Sequence, residues 1–192
     1  WGAEGFEGET TFSNYIQSYK RKNADTELIH HNPGKKDLAR VACVDGMWIC
    51  TTKSIVLKKP FDEKLLKGFH CYDIDFCLNV GQDHDVLVTF DILMRHFSEG
   101  SFDEHWLSDT LNVHEKWSSI LPKITSEVSK LQQDKIEKRA FKSLIKHFLK
   151  ENFTLKKIHD TLWSYRKNKK ISLLVYIKLH YYTMKFYLQS AK

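Results

Sequence analysis

A change of pattern near Trp117 constrains this chain more than any other feature. Before it, short apolar runs alternate with turn residues. After it, apolar residues recur every three or four positions over long stretches, the spacing of helices packed along one face. Charge divides at the same place. Residues 1–117 carry 13 Lys+Arg against 19 Asp+Glu, a net of −6, and residues 118–192 carry 17 against 5, a net of +12. Two regions with different tasks are expected, 1–117 and 118–192.

The first region is read as an α/β layered domain. Residues Trp1 to Arg40, with turn signals such as "HNPGKK", are expected to be loops with a short strand or helix. "RVACVDGMWICTT", Arg40 to Thr52, predicts a buried strand kinked at Gly46, with a hairpin as the alternative. Tyr72, Phe76, Cys77 and Val80 recur at helical spacing, which predicts a helix over 73–80. "DVLVTFDILMRH", Asp85 to His96, predicts a long strand buried on both faces.

The second region predicts helices from Ser119 onward, with Pro122 suited to a first turn, then over 154–165 and 171–188. No internal repeat interrupts it.

With 42% hydrophobic and 28% charged residues, the composition is that of a soluble globular protein. Cys43, Cys50, Cys71 and Cys77 match no zinc-ligand spacing and read as reduced, buried small side chains of a cytosolic protein. The apolar stretch 171–188 is broken by Lys178, His180 and Lys185, which makes it a poor membrane span. The opening "WGAEGFEG" has no methionine and no basic-then-apolar leader, and reads as an internal starting point.

Asp73 and Asp75 pose the main chemical question. A shared divalent cation is disfavoured: the pair precedes an apolar run instead of following a strand, and residues two apart on a helix point about 200° from each other. Helix capping, worth on the order of 1 kcal/mol, suits Asp75. A carboxylate beside a loop holding His70 and Tyr72 can also act as a general base, and Asp73 is the candidate. Asp45-Gly46 puts a carboxylate inside an apolar run, where it must be paired, hydrated or functional. His96 ends a predicted strand beside a Ser/Gly loop and can ligate a cation or hydrogen-bond a diphosphate, or serve only the loop. Trp1 and Trp106 offer flat faces for sugar rings, or core.

"VDGMWICTTKSIV", "PFDEKLLKGFHCYDIDFCLNV" and "DILMRHFSEGS", followed by Trp106 and "HEKW", carry a resemblance. In order and spacing, residues 1–117 resemble the second, acceptor-side half of a bacterial glycosyltransferase domain related to the family-two enzymes of the GT-A fold. The resemblance implies a partial GT-A-like mixed sheet followed by an all-helical extension. It implies inverting transfer from a nucleotide sugar to a glycan or lipid-linked acceptor, as in polysaccharide biosynthesis. Asp73 takes the place of the base. Asp45, Gly46, His70, Tyr72 and Trp106 take the acceptor side, and His96 lies near the diphosphate or its metal. Tyr72 stands where that group usually has Glu. A divalent metal, Mg or Mn, would be held mainly by residues outside this chain, which alone would be inactive. The alternative is a non-catalytic glycan-binding or assembly module that retains the acceptor half.

For the basic region, two partners are consistent with the charge: an anionic membrane surface or a polyanionic glycan. A solvated extension packed on the domain, or forming a homodimer, is the simplest reading. Nucleic acid is disfavoured, because no nucleic-acid module is recognisable and the aromatics cluster in the apolar 176–187 stretch. The implied location is the cytoplasm, including the inner face of the membrane.

Overall fold

The computed structural model describes residues 4–7, 10–18, 26–98, 103–168 and 171–190. Its strands and helices, numbered in chain order, are β1 (Glu4–Glu7), β2 (Thr10–Ser18), β3 (Thr26–His31), β4 (Leu38–Arg40), β5 (Cys43–Val44), α1 (Lys53–Lys58), α2 (Tyr72–Val80), β6 (Leu87–Thr89), β7 (Met94–His96) and α3 (Glu104–Lys116). Three helices follow, α4 (Lys130–Lys150), α5 (Leu155–Lys167) and α6 (Leu173–Ser190). Among the described residues the architecture is mixed α/β, a small five-stranded mixed sheet and a two-stranded one with six helices. Two compact units divide it, Trp1–Glu127 and Val128–Lys192.

In the first unit, β2 is the central strand. It pairs antiparallel with β1 and β3 and parallel with β7, and β1 carries β5 on its other edge. The expectation of loops before Arg40 is therefore corrected: this segment supplies most of the main sheet. Its strand pattern is masked because the inner positions of β2 are polar. Ser13, Asn14 and Gln17 are buried beside Phe12.

Those amides hold the segment after β6. Asn14 Nδ2 donates to the carbonyls of Phe90 (2.7 Å) and Ile92 (3.1 Å). Gln17 Nε2 donates to the Ser98 carbonyl at 3.0 Å. The predicted strand over 85–96 is accordingly two short strands in different sheets, β6 on β4 and β7 on β2, with a bend between them. Only Val86, Val88 and Thr89 of it are buried. A second correction falls at Arg40–Thr52, which is no continuous strand. Asp45 Oδ1 accepts from the Met47 backbone N–H at 2.7 Å, and this local turn ends β5.

The helix predicted over 73–80 is present as α2. It packs on β5, and Phe76, Cys77, Leu78 and Val80 are buried. Helix α3 follows an Asp103 N-cap whose side chain accepts from the Trp106 N–H at 2.9 Å. Leu66, Cys71, Leu78 and Val113 form one core cluster, and Trp117, Ile120 and Leu121 pack against it. No helix begins at Ser119, contrary to expectation, because this packing holds 117–121 to the α/β unit. The first helix of the second unit starts instead at Ser129, whose hydroxyl and Gln132 form a capping box.

In the second unit α6 packs against α4 and α5. Leu144, Ile145 and Phe148 of α4, Ile158 and Leu162 of α5, and Val175, Leu179 and Thr183 of α6 make its core. Each such large apolar side chain contributes roughly 1.5–3 kcal/mol on burial. The predicted helices at 154–165 and 171–188 correspond to α5, with Thr154 as its N-cap, and α6. Among the described residues no helix is long and apolar enough to cross a membrane.

Candidate functional site

The two motifs that hold Asp45-Gly46 and Tyr72-Asp73 meet at the first turn of α2. Cys71 takes the left-handed region (φ 62°) and the helix starts there without a side-chain cap. That conformation turns the chain from the Phe69–His70 loop into the helix. Asp73 Oδ2 accepts from the Gly46 N–H at 2.9 Å, and Oδ1 accepts from the Ile74 N–H at 2.8 Å. The Asp73 backbone N–H is a third donor to this carboxylate, and since such a group offers about four lone-pair sites, acceptor capacity for a ligand hydroxyl is left.

Tyr72 closes the other side. Its hydroxyl donates to the Gly46 carbonyl at 3.3 Å. A Cβ at position 46 would overlap the Tyr72 hydroxyl and lie 2.7 Å from the ring carbon that bears it. Glycine lets the Tyr72 ring approach this closely, and any larger residue must displace it.

Burial pushes the Asp73 carboxyl above the usual aspartate value. The Ile74 and Gly46 donors oppose that shift, and the negative charge of Asp45 adds to it. Burial also raises the Tyr72 phenol, helped by the charges of Asp73 and Asp45. Cys71 and Cys77 are pushed up to about 11, chiefly by burial, and Cys43 is raised further for the same reason. These three thiols are protonated at neutral pH and do not compete as nucleophiles. Cys71 and Cys77 are buried as expected, whereas Cys43 is half-buried and Cys50 exposed.

Asp75 corrects the capping expectation. Its side chain is 2% exposed and holds three tertiary contacts instead. Lys116 Nζ lies 2.8 Å from Oδ1 and 2.9 Å from Oδ2, and Trp117 Nε1 donates to Oδ1 at 2.7 Å. Burial lowers the Lys116 amine, but its bonds to Asp62 and Asp75 more than reverse this, and its net shift is upward. The triad ties α2 to the end of α3.

The remaining sequence candidates make contacts of their own. His70 is half-buried, with Nε2 3.9 Å from Asp103 Oδ1 and its ring edge-on to Phe69. Trp106 sits in the first turn of α3, half-buried. His96 faces β2: its Nδ1 is 3.0 Å from Gln17 Oε1 and its ring is edge-on to Tyr15. Among the described residues no hydrogen bond or ion pair joins His96 to Asp73 or Asp45. Trp1 lies outside the described residues. Nor do the described residues contain a group of three His, Cys, Asp or Glu side chains placed to hold a metal ion.

Sequence reasoning missed Phe61 and Phe69. Both rings lie 6.0 Å from Tyr72, edge-on, and Phe61 is anchored by stacking on Phe76 at 4.5 Å. Phe69 is 77% exposed and Phe61 40%. The signal was their position three residues before Tyr72 and just after Pro60, in the loops that enter the site. An apolar aromatic surface beside carboxylates with open lone pairs suits a ligand that has both apolar faces and hydroxyls. No protein-family model matches this chain, and neither does any curated protein or solved structure.

Proposed function

We propose that this chain is the acceptor-side part of a GT-A-like glycosyltransferase, transferring a sugar from a nucleotide sugar to a glycan or lipid-linked acceptor with inversion. The observation that carries the reading is the convergence of Asp45-Gly46 with Tyr72-Asp73, two segments on which the family resemblance rests. They meet around a half-buried carboxylate that keeps open lone pairs.

In the proposed step the acceptor hydroxyl oxygen bonds to the anomeric carbon as the bond to the nucleoside diphosphate breaks. The hydroxyl proton passes to the Asp73 carboxylate. Its raised proton affinity favours this, since a general base works best with a pKa close to the operating pH. The Gly46 N–H fixes the orientation of the carboxylate, and Tyr72 with Phe61 and Phe69 faces the acceptor ring. A divalent cation, Mg or Mn, would neutralise charge on the leaving diphosphate. As the resemblance implies, its ligands would lie mainly outside this chain, and the proton step uses Asp73 alone.

The test is nucleoside diphosphate release and product formation by the intact native protein, over a panel of nucleotide sugars and acceptors. Asp73→Asn is expected to lower turnover by about 10²–10⁴ with little change in KM. Near-normal turnover in the folded variant would remove Asp73 as the base. If no donor turns over in the native protein, the non-catalytic glycan-binding module is the better reading.

A further inference from the structure

Helix α6 is apolar on two faces. Val175, Leu179 and Thr183 are buried in the helical unit. On the other side Leu174, Ile177, Tyr181, Met184 and Leu188 follow one another at steps of three and four, each between 42% and 66% exposed. A helix that is apolar on its outer face as well as its inner one ordinarily has something covering it. Lys178 and Lys185 are exposed along one margin of this stripe, and α6 contains no acidic residue.

We propose that the outer face of α6 rests on an anionic lipid bilayer surface, with the apolar stripe entering the headgroup boundary and Lys178 and Lys185 meeting lipid phosphates. This stands independently of the proposed enzymatic role. Two observations have to be satisfied together. Residues 128–192 carry 16 Lys+Arg against 4 Asp+Glu, so the partner must accept positive charge. The stripe must also leave water. A nucleic acid answers the charge and leaves the stripe wet. A second copy covers the stripe and sets two strongly cationic units against each other. An anionic membrane surface does both, and lysine stems at the margin of such a helix reach out to the headgroups. With 18 residues, α6 is about 27 Å long and lies in the plane of the surface.

The test uses the full chain and sucrose-loaded vesicles, either of phosphatidylcholine alone or of phosphatidylcholine and phosphatidylglycerol in equal parts. Co-sedimentation with the mixed vesicles is expected to be at least about tenfold stronger, and to weaken as salt is raised. Ile177→Glu and Met184→Glu, both at exposed positions, should abolish it while the helical circular dichroism is unchanged. Lys178→Gln with Lys185→Gln should reduce the preference for the anionic vesicles. No binding to the mixed vesicles overturns the proposal, as does binding that Ile177→Glu leaves intact. A dimer in solution that Ile177→Glu dissolves, without vesicle binding, assigns the face to a second copy and overturns it equally.

Discussion

Lys116→Met isolates the contact that fixes α2. The substitution keeps the side-chain length and removes the ammonium that lies 2.8 Å from Asp75 Oδ1 and 2.8 Å from Asp62 Oδ2. Asp62 is partly exposed, and a pair of that kind contributes little. Asp75 is 2% exposed and keeps the Trp117 indole as its remaining side-chain donor. Two unit charges about 4 Å apart interact by about 4 kcal/mol at an effective dielectric of 20. Stranding a buried charge by deleting its partner costs about 3–5 kcal/mol. We expect a loss in that range, which for a unit of this size lowers the melting temperature by on the order of 10–20 °C.

Urea unfolding of the intact chain, followed by tryptophan fluorescence, measures the loss. The double variant Asp75→Asn/Lys116→Met, with neither charge left, should recover much of it, giving a coupling of about 2–3 kcal/mol in a double-mutant cycle. A single-variant loss below about 1 kcal/mol, or additive singles, would falsify the claim that this ion pair anchors the helix.

Three further outcomes follow from the geometry. Gly46→Ala should destabilise by about 1–3 kcal/mol, because the new methyl meets the Tyr72 ring; in the Tyr72→Ala background the same change should cost much less, as thermal melts can show. The raised Asp73 carboxyl binds its proton more tightly folded than unfolded, so the stability it adds is present below the unfolded value and is lost as pH rises through the folded one. Asp73→Asn should abolish that slope in denaturant midpoints, and the acid limb of any pH–rate profile should lie above the ordinary aspartate range. In the helical unit the His159 and His180 rings stack at 4.2 Å, and burial followed by the His159 charge lowers His180. That contribution is present above the unfolded histidine value and is lost as pH falls through the lowered folded one, so helicity should melt more readily at mildly acid pH, and His180→Phe should remove the effect.

Which parts of the fold could be read in advance depended on whether the period of the sequence was set by apolar burial. Helix α2 was legible because Phe76, Cys77 and Val80 face the core at helical spacing. The central strand β2 was not, since Asn14 and Gln17 occupy inner positions and spend their amides on carbonyls more than seventy residues away. The same long-range bonds divide the apolar run 85–96 between two sheets, which no local pattern can indicate. Helix α3 left a signal that was overlooked, an Asp103 cap followed by Leu107 and Val113 on the buried side. In the candidate site Asp45, Gly46, Tyr72 and Asp73 were each legible, because a carboxylate or a glycine in an apolar setting needs a reason. Their meeting was not, since Gly46 and Asp73 are 27 positions apart.

The two aspartates of α2 sharpen the point. A single residue separates them, and the turn of the helix sends them into opposite environments. Asp75 faces inward, where an ammonium and an indole take three of its acceptor sites and its 2% exposure closes it to a ligand. Asp73 faces the Asp45–Gly46 turn, half-buried and held by backbone N–H groups with no side-chain cation upon it among the described residues. A structural carboxylate is one whose acceptor capacity the fold consumes, and a chemical one keeps some in reserve. On that basis Asp75→Asn should cost about 1.5–3 kcal/mol of stability, because the buried side chain loses its charge-assisted bonds to Lys116 and Trp117 while Lys116 keeps Asp62, and should lower activity only in proportion to unfolded protein. Asp73→Asn should leave stability near that of the native chain at neutral pH and remove turnover. Measuring both properties on both variants separates the roles: if Asp75→Asn lost turnover while fully folded, the inner carboxylate would have to be placed in the reaction, and the division drawn from their hydrogen bonds would fail.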